Sequence, residues 1–171
     1  SSKSLTIAAP RDVTAKWLAP RLAAYGRSDP DLKFVLMAAD DTLDFTEANL
    51  DLAIVYATSP GEQEGVKLMD GALITVMAAD GAADHGIDWP GALQGDGAVL
   101  RVADAGLAID AAANGFGTAR VPHLLAQADI AAGRLRQIGN PVADDKAYWL
   151  VAPLPQWRQK KVKALVEALT G

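Results

Sequence analysis

The chain has no cysteine among its 171 residues, and this absence excludes several kinds of site. Disulfide scaffolds, zinc ribbons, iron–sulfur clusters and thiol redox sensors all need cysteine. Histidine is almost as scarce, and neither His85 nor His123 belongs to a His-Glu-x-x-His zinc motif. We expect His85 to be a solvated loop residue and His123 to lie at the start of a helix. The sequence therefore predicts no metal and no cofactor.

Positive charge is also in short supply. The chain has 16 Lys and Arg against 21 Asp and Glu, a net charge of −5. Binding to nucleic acid needs a concentrated positive surface, so we expect no direct contact with DNA or RNA. No apolar run approaches the ~20 residues of a membrane-spanning helix, and the first residues lack a secretory pattern. We therefore expect no membrane partner, and either a cytoplasmic protein or a piece of a longer chain.

Catalytic motifs are missing as well. The sequence has no Gly-x-Ser-x-Gly elbow and no phosphate-binding Gly-x-x-x-x-Gly-Lys-Ser/Thr loop. Gly115 and Gly117 lack the third glycine of a dinucleotide fingerprint, so they are expected to end a helix and begin a strand. The aspartates Asp40, Asp41 and Asp44 lack the spacing of a calcium loop. An enzyme is therefore not expected.

Apolar residues make up 50% of the chain, enough for a core in one compact unit or two small lobes. Short apolar runs alternate with helical patterns, which favours an α/β fold with parallel sheets. The predicted strands cover residues 5–9, 32–39, 51–56, 73–79, 98–102, 117–121, 135–138 and 147–151. Residues 32–39 and 51–56 read as buried strands, 80–97 as a loop with a helical turn at 89–93, and 140–145 as a polar loop.

The predicted helices follow most of these strands. The first is capped by Asp12, buries Val13, Trp17, Leu18 and Leu22, and is kinked or restarted by Pro20 before it ends near residue 26. A short helix or turn is expected at 42–49. The remaining helices are predicted at 105–114, 122–127 and 156–169, the last with Lys161 facing water and Trp157 buried.

Parallel sheets offer a ligand site at the carboxyl ends of their strands, where helix N-termini expose unpaired N–H groups. In this chain those ends are residues 9–12, 39–42 and 56–59 in the first half, and 102–104 in the second. Two such crevices facing each other would form a cleft suited to a small molecule.

The ordered segments Trp17-Leu18-Ala19-Pro20-Arg21-Leu22, Asn49-Leu50-Asp51-Leu52, Ala111-Ala112-Ala113-Asn114-Gly115 and Tyr148-Trp149-Leu150-Val151 resemble the effector-binding domain of bacterial LysR-type transcriptional regulators. The resemblance extends over nearly all of the chain. It is greatest to the branch that includes the glycine-cleavage and β-lactamase regulators.

This resemblance implies a periplasmic-binding-protein type II fold of two Rossmann-like lobes, with two crossing strands as the hinge. Lobe I would comprise residues 1–73 and 144–171, and lobe II residues 74–143. The implied function is to bind a small metabolite in the inter-lobe cleft and to mediate oligomerisation. DNA would be contacted only through an N-terminal winged helix-turn-helix domain outside this chain. The resemblance further implies side-by-side homodimers, and tetramers in the full-length protein.

Carried over residue by residue, the resemblance places the effector site at the strand ends. Asp12 occupies or adjoins the position where relatives present Ser or Thr, which suits an amine or a hydroxyl-rich effector unless Arg11 turns inward. The candidate ligand-binding residues are Arg11, Asp12, Thr14, Asp40, Asp41, Tyr56, Ala57, Thr58, Val102, Ala103, Asp104 and Tyr148. The alternative function is a solute-binding protein of a transport system, built on the same fold.

Overall fold

The computed structural model describes residues 3–39, 44–46, 48–82, 85–92 and 97–171. The chain forms two compact units. The first unit contains Ser1–Thr14, Leu18–Asp70 and Asp145–Gly171, and the second contains Ala15–Trp17 and Gly71–Asp144. Each unit has its own sheet and its own core.

Ten strands and six α-helices lie within the described residues. In chain order they are β1 (Lys3–Ala9), α1 (Arg11–Val13), α2 (Ala19–Gly26), β2 (Leu32–Ala38), β3 (Leu52–Ala57), β4 (Glu64–Lys67), β5 (Ala72–Ala78), β6 (Gly86–Asp88), β7 (Leu100–Arg101), α3 (Ala105–Ala113), β8 (Thr118–Pro122), α4 (His123–Ala131), β9 (Leu135–Ala143), β10 (Ala147–Ala152), α5 (Leu154–Trp157) and α6 (Lys160–Thr170). A π-helical segment, Thr14–Leu18, joins α1 to α2.

The sheet of the first unit has the order β2-β1-β3-β10-β4. Strand β1 is parallel to β2 and β3, whereas β10 runs antiparallel to β3 and β4. Its central strands are buried, with Leu5, Ile7, Leu52 and Ile54 fully inaccessible to solvent. The sheet is therefore mixed rather than purely parallel, because the chain returns to this unit through β10 in the opposite direction.

Strand β2 is formed where the apolar run predicts a strand, but the expectation that it is buried is wrong. The strand lies at the edge of its sheet, and from Val35 to Ala38 its residues are exposed. An edge strand has a neighbour on one side only, so apolar composition alone does not ensure its burial. The exposed side chains include Val35, Leu36 and Met37.

The helical segment after β1 buries Val13, Trp17, Leu18 and Leu22, as their spacing predicts. Pro20 lies in the first turn of α2, directly after the π-helical segment. Proline has no N–H to donate to the carbonyl four residues earlier, which accounts for the change of hydrogen-bonding pattern before it.

The second unit has a sheet of order β7-β6-β8-β5-β9, which is also mixed. Strand β5 pairs antiparallel with β8 and β9, while β6 runs parallel to β7 and β8. Its core includes Ile74, Val76 and Ile87 from the strands, and Ile109 and Leu125 from the helices.

The polar loop predicted at residues 140–145 is mostly strand instead, because β9 continues to Ala143. This strand is at the edge of its sheet, where Pro141 is tolerated because proline has no N–H to contribute to a ladder. The pairing with β5 shifts register between Leu73 and Thr75, and Gly139 has a positive φ of 70° in that stretch. The irregularity absorbs the extra residues of β9.

Two short strands are not predicted from the sequence. Strand β4 has no long apolar run, and β6 lies inside the glycine-rich stretch expected to be a loop. Gly117 is required beside β6, since a Cβ there would approach the backbone oxygen of His85 to 2.4 Å. Gly115 ends α3 with a φ of 91°, so this pair of glycines ends a helix and precedes a strand as expected.

The terminal helix begins later than predicted. Gln159 adopts an extended backbone conformation, so α5 and α6 are separate and Trp157 is half-buried. Lys161 does not simply face water: its Nζ donates to the Ser4 carbonyl at 2.8 Å and lies 3.2 Å from Asp51 Oδ1. Within the described ranges, every helix is too short or too polar to cross a membrane.

Candidate functional site

In the first unit, the carboxyl end of β1 leads directly into a helix. Pro10 is the N-cap residue and gives no side-chain hydrogen bond to the first turn. Arg11 begins α1 and is exposed, whereas Asp12 is half-buried within the first turn. The prediction that Asp12 caps the helix is therefore wrong, since proline occupies the cap and the acid stands two residues later. The Asp12 carboxylate accepts a hydrogen bond of 2.9 Å from the Val13 N–H.

This arrangement leaves a positive helix end beside a negative side chain. Thr14 is half-buried at the next turn, and its N–H donates to the Pro10 carbonyl at 3.0 Å. Helix N-termini favour negative charge, and Asp12 already supplies it. The Asp12 carboxylate therefore offsets the positive charge of this turn.

Two tyrosines from neighbouring strands meet in the first unit. Tyr56 on β3 is directly opposite Tyr148 on β10, with ring centroids 4.6 Å apart and planes inclined by 33°. Tyr148 is buried and Tyr56 is half-buried. Lys146 Nζ lies 5.9 Å from the Tyr56 ring centroid, within reach of a cation–π interaction. The pair forms an aromatic surface with a cation at its side.

The residues after Tyr56 are placed by the same strand pairing. Ala57 pairs with Ala147, and its carbonyl accepts a 3.0 Å hydrogen bond from the Trp149 indole N–H. Thr58 follows the strand and is exposed. These contacts fix the backbone at the carboxyl end of β3 and leave the Thr58 side chain open to solvent.

In the second unit, the predicted residues form the turn between β7 and α3. The Val102 N–H donates to the Asp88 carbonyl at 2.9 Å, and Ala103 is exposed. Asp104 is the N-cap of α3, and its Oδ1 accepts a 2.8 Å hydrogen bond from the Leu107 N–H. Its carboxylate therefore stabilises a helix start, which is the usual role of aspartate at this position.

The structure thus places the candidate residues in three groups. Arg11, Asp12 and Thr14 lie in the first turns after β1, Tyr56 and Tyr148 are in ring contact, and 102–104 form a turn in the second unit. Asp40 and Asp41 lie outside the described residues.

Sequence reasoning missed a charged cluster in the second unit. Asp129 is buried in α4, with Lys16 Nζ 3.2 Å from its Oδ2 and Arg134 Nε 2.6 Å from its Oδ1. Lys16 also contacts Asp110 on α3. Lys16 lies 113 residues from Asp129 in the chain, and spacing cannot reveal such a pairing. The one sign of the cluster in the sequence is that Asp129 stands between an alanine and an isoleucine in an apolar helix.

The cluster holds its members in the charged state. Burial raises the pKa of Asp129, but hydrogen bonds from Arg134 and Lys16 outweigh it and bring the pKa below the ordinary value of 3.8. Burial lowers the pKa of Lys16, but hydrogen bonds to Asp110 and Asp129 outweigh it and bring the pKa above 10.5. Both shifts favour the charged forms, so the ion pairs of the cluster persist at neutral pH.

Histidine and carboxylate groups do not assemble into a metal site in the part of the chain that the structure describes. His85 is exposed, and His123 is the first residue of α4, where its position in the sequence predicts it.

The sequence matches one family model along its whole length. The model described as "LysR substrate binding domain" matches residues 1–94 and 81–171. No curated protein matches the chain.

Solved structures have the same fold at low identity. The effector domain of the transcriptional regulator AmpR of Pseudomonas aeruginosa superposes with a TM-score of 0.73 at 18% identity, covering 98% of this chain and 94% of that one. The AmpR effector-binding domain from Citrobacter freundii gives 0.75 at 16% identity, covering 99% and 98%. The full-length virulence activator AphB of Vibrio cholerae gives 0.71 at 16% identity, covering 98% of this chain and 68% of that one.

Proposed function

The chain belongs to the LysR substrate-binding domain family, the effector-binding domains of LysR-type transcriptional regulators, and from this premise we propose how it recognises its effector and assembles. The observation that carries the assignment is the family match to both halves of the chain. The fold of AmpR effector domains, found in this chain at TM-scores of 0.73 and 0.75, agrees with it. Neither comparison supports the alternative of a transport protein.

The effector is a small molecule, and the candidate residues for its recognition are those that the resemblance implies. In the first unit these are Arg11, Asp12, Thr14, Asp40, Asp41, Tyr56, Ala57, Thr58 and Tyr148, and in the second unit Val102, Ala103 and Asp104. Asp12 sets the chemistry, since a half-buried carboxylate at this turn attracts an amine or a hydroxyl and repels an anion. The exposed position of Arg11 supports this sign.

The tyrosine pair supplies the apolar part of the recognition. The rings of Tyr56 and Tyr148 are held by the β3–β10 pairing, so they need no reordering to receive a ligand. Effector binding then shifts an equilibrium between two conformations of the regulator, by as much as its affinity differs between them. The domain has no catalytic role in this account, in keeping with its family of regulatory domains.

LysR regulators act as oligomers that bind effectors and DNA. We expect this chain to form a side-by-side homodimer, and a tetramer in the full-length cytoplasmic protein. We propose that the dimer contact lies between the first helix of one subunit and the second unit of its neighbour, as the resemblance implies. The exposed apolar side chains of β2, with Val35 49% and Met37 39% accessible, support a protein contact at this edge strand of the first unit.

Two measurements test the assembly. Light scattering at tens of micromolar should report a dimer, and Val35→Glu should shift it toward monomer; a monomeric wild type contradicts the proposal.

Fluorescence anisotropy at physiological salt should show no binding of this chain to duplex DNA, because its net charge is −5 and contact with DNA is assigned to another domain. Sub-micromolar binding would contradict the expectation that only another domain contacts DNA.

A thermal-shift screen against amino acids, aromatic acids and sugars tests effector recognition. A ligand at 100 times its Kd stabilises the folded chain by about 2.7 kcal/mol, enough to raise the Tm by several degrees. We expect an amine or hydroxyl compound to produce this shift, and Asp12→Ala to remove most of it. Glu167→Ala, an exposed carboxylate on α6, should leave the shift unchanged. A shift given only by anions and kept in Asp12→Ala would contradict the proposal.

A further inference from the structure

The first unit contains a pocket at one end of its sheet. The strand ends described above lie at the opposite end. The pocket has a volume of about 440 Å³. It is lined by Lys3, Leu5, Tyr25, Asp29, Leu32, Lys160, Lys161 and Ala164, all of which belong to the first unit. Leu5 and Leu32 lie near the amino ends of β1 and β2, and the four-residue rise from Leu5 to the end of β1 is about 13 Å. The pocket is therefore separate from the proposed effector site.

The lining has an excess of positive charge. Three of its residues are lysines and one is an aspartate. Asp29 Oδ2 lies 3.2 Å from Lys3 Nζ, and Lys161 is engaged by Asp51 and the Ser4 carbonyl. Lys160 is exposed, and among the described residues none forms an ion pair or hydrogen bond with its ammonium. One cation of the pocket is thus available to an incoming ligand.

The remaining surface is apolar. Leu5 is fully buried, Leu32 and Tyr25 are half-buried, and Ala164 adds a methyl group from the next turn of α6. Lys160 begins α6, an 11-residue helix, so the positive end of the helix adds to its charge. The volume lies within the range of about 300–1,000 Å³ typical of small-molecule sites.

We propose that this pocket is a second ligand site, which binds a small monocarboxylate with an apolar tail. The carboxylate pairs with Lys160, and the tail covers Leu32 and Ala164. Tyr25 lies beside them as an amphipathic wall. The site has the opposite charge preference to the strand-end site, where Asp12 disfavours anions, and the two are independent.

Calorimetric titration with hexanoate tests the site, with hexanamide as the neutral analogue of the same shape. Hexanoate should bind about threefold more tightly than hexanamide, the ratio expected from an ion pair with an exposed lysine. Lys160→Met keeps most of the side-chain stem and should weaken hexanoate about threefold. Lys163→Met removes the same charge from an exposed position of α6 outside the pocket and should bind like the wild type.

A second variant should change the hexanoate affinity in the opposite direction. Asp29→Asn removes the one carboxylate of the lining and frees Lys3, so hexanoate should bind about threefold more tightly. The proposal is overturned if hexanoate gives no binding at millimolar concentration, if hexanamide binds equally well, or if Lys160→Met and Lys163→Met behave alike. It is also overturned if Asp12→Ala weakens hexanoate binding and Lys160→Met does not. If only the proposed effector site is wrong, hexanoate binding to the pocket does not change.

Discussion

Each of the two units buries one aspartate, and the two carboxylates have different partners. In the described part of the chain, Asp51 and Asp129 are the buried charged residues, at 9% and 5% exposure. In the first unit, Asp51 accepts a 2.8 Å hydrogen bond from the Thr6 N–H and pairs with Lys161 on α6. Its partners are therefore a backbone group and one partly exposed cation.

Asp129 of the second unit is neutralised by two cations instead of one. Arg134 follows it by five residues, whereas Lys16 comes from the π-helical segment and retains 15% side-chain exposure. The comparison indicates that Asp51 links β1 to α6 within the first unit. Asp129 links α4 to the π-helical segment through Lys16, which is distant in the chain. The second unit should therefore be more sensitive to loss of its buried charge.

Asp129→Ala should have the largest effect. It leaves Lys16 and Arg134 without their shared carboxylate, and breaking a buried ion pair lowers the free energy of unfolding by about 3 kcal/mol. Asp110→Ala removes the other partner of Lys16, whose side chain is 58% exposed, and should cost less than about 1 kcal/mol. Urea denaturation measures the free energy of unfolding of both variants. Equal losses in Asp129→Ala and Asp110→Ala would refute the difference expected between them.

Asp51→Ala should come next, with a loss of about 2 kcal/mol, since it leaves the Thr6 N–H unpaired while Lys161 keeps its bond to Ser4. Asp51→Asn, which retains an acceptor, should recover part of it. A loss from Asp51→Ala larger than that from Asp129→Ala in the same assay would reverse the comparison between the units.

The pH dependence of stability separates charge from packing in the second unit. The pKa of Asp129 is lowered in the fold, so its contribution is present above the ordinary value of 3.8 and is lost as the pH falls through the folded pKa. The pKa of Lys16 is raised, so its contribution is complete below 10.5 and is lost as the pH rises through the folded pKa. The stability difference between wild type and Asp129→Asn should be constant between the two ordinary values, 3.8 and 10.5, and should shrink below and above them. A difference that is constant down to pH 2 would mean that packing dominates.

The helix starts give the smallest effects. Asp104→Ala removes the cap of α3 and should lower the free energy of unfolding by about 1 kcal/mol, whereas Asp104→Asn should cost less than half of that. Asp12→Ala should cost about 0.5 kcal/mol, because Pro10 and not Asp12 is the cap of α1. Thermal melts of the three variants order these values. A larger loss from Asp12→Ala than from Asp104→Ala would show that Asp12 is structural.

The sequence predicts the main strands and helices well because their apolar periodicity reflects burial. The residues Val13, Trp17, Leu18 and Leu22 are an example, since all four are buried as their helical spacing requires. Helix α3 is a second example, with Gly115 at its end in a positive-φ conformation. Local patterns of this kind are encoded by residues close in the chain.

Features that depend on sheet order could not be predicted in the same way. The exposure of Val35 and Leu36 follows from the edge position of β2, which composition does not reveal. Strand β4 exists because β10 pairs with it, and not because of its own short sequence. At the candidate site, the contact between Tyr56 and Tyr148 depends on antiparallel pairing across 92 residues. Only the resemblance, and not spacing, singled out both tyrosines.

The most direct test of the central claim is a calorimetric titration of the effector found in the thermal-shift screen against variants of the first unit. We expect Asp12→Ala to weaken binding by at least about tenfold, because the carboxylate recognises the amine or hydroxyl of the effector. Glu167→Ala, at an exposed position outside the site, should bind like the wild type. Wild-type affinity in Asp12→Ala would contradict the proposed effector site.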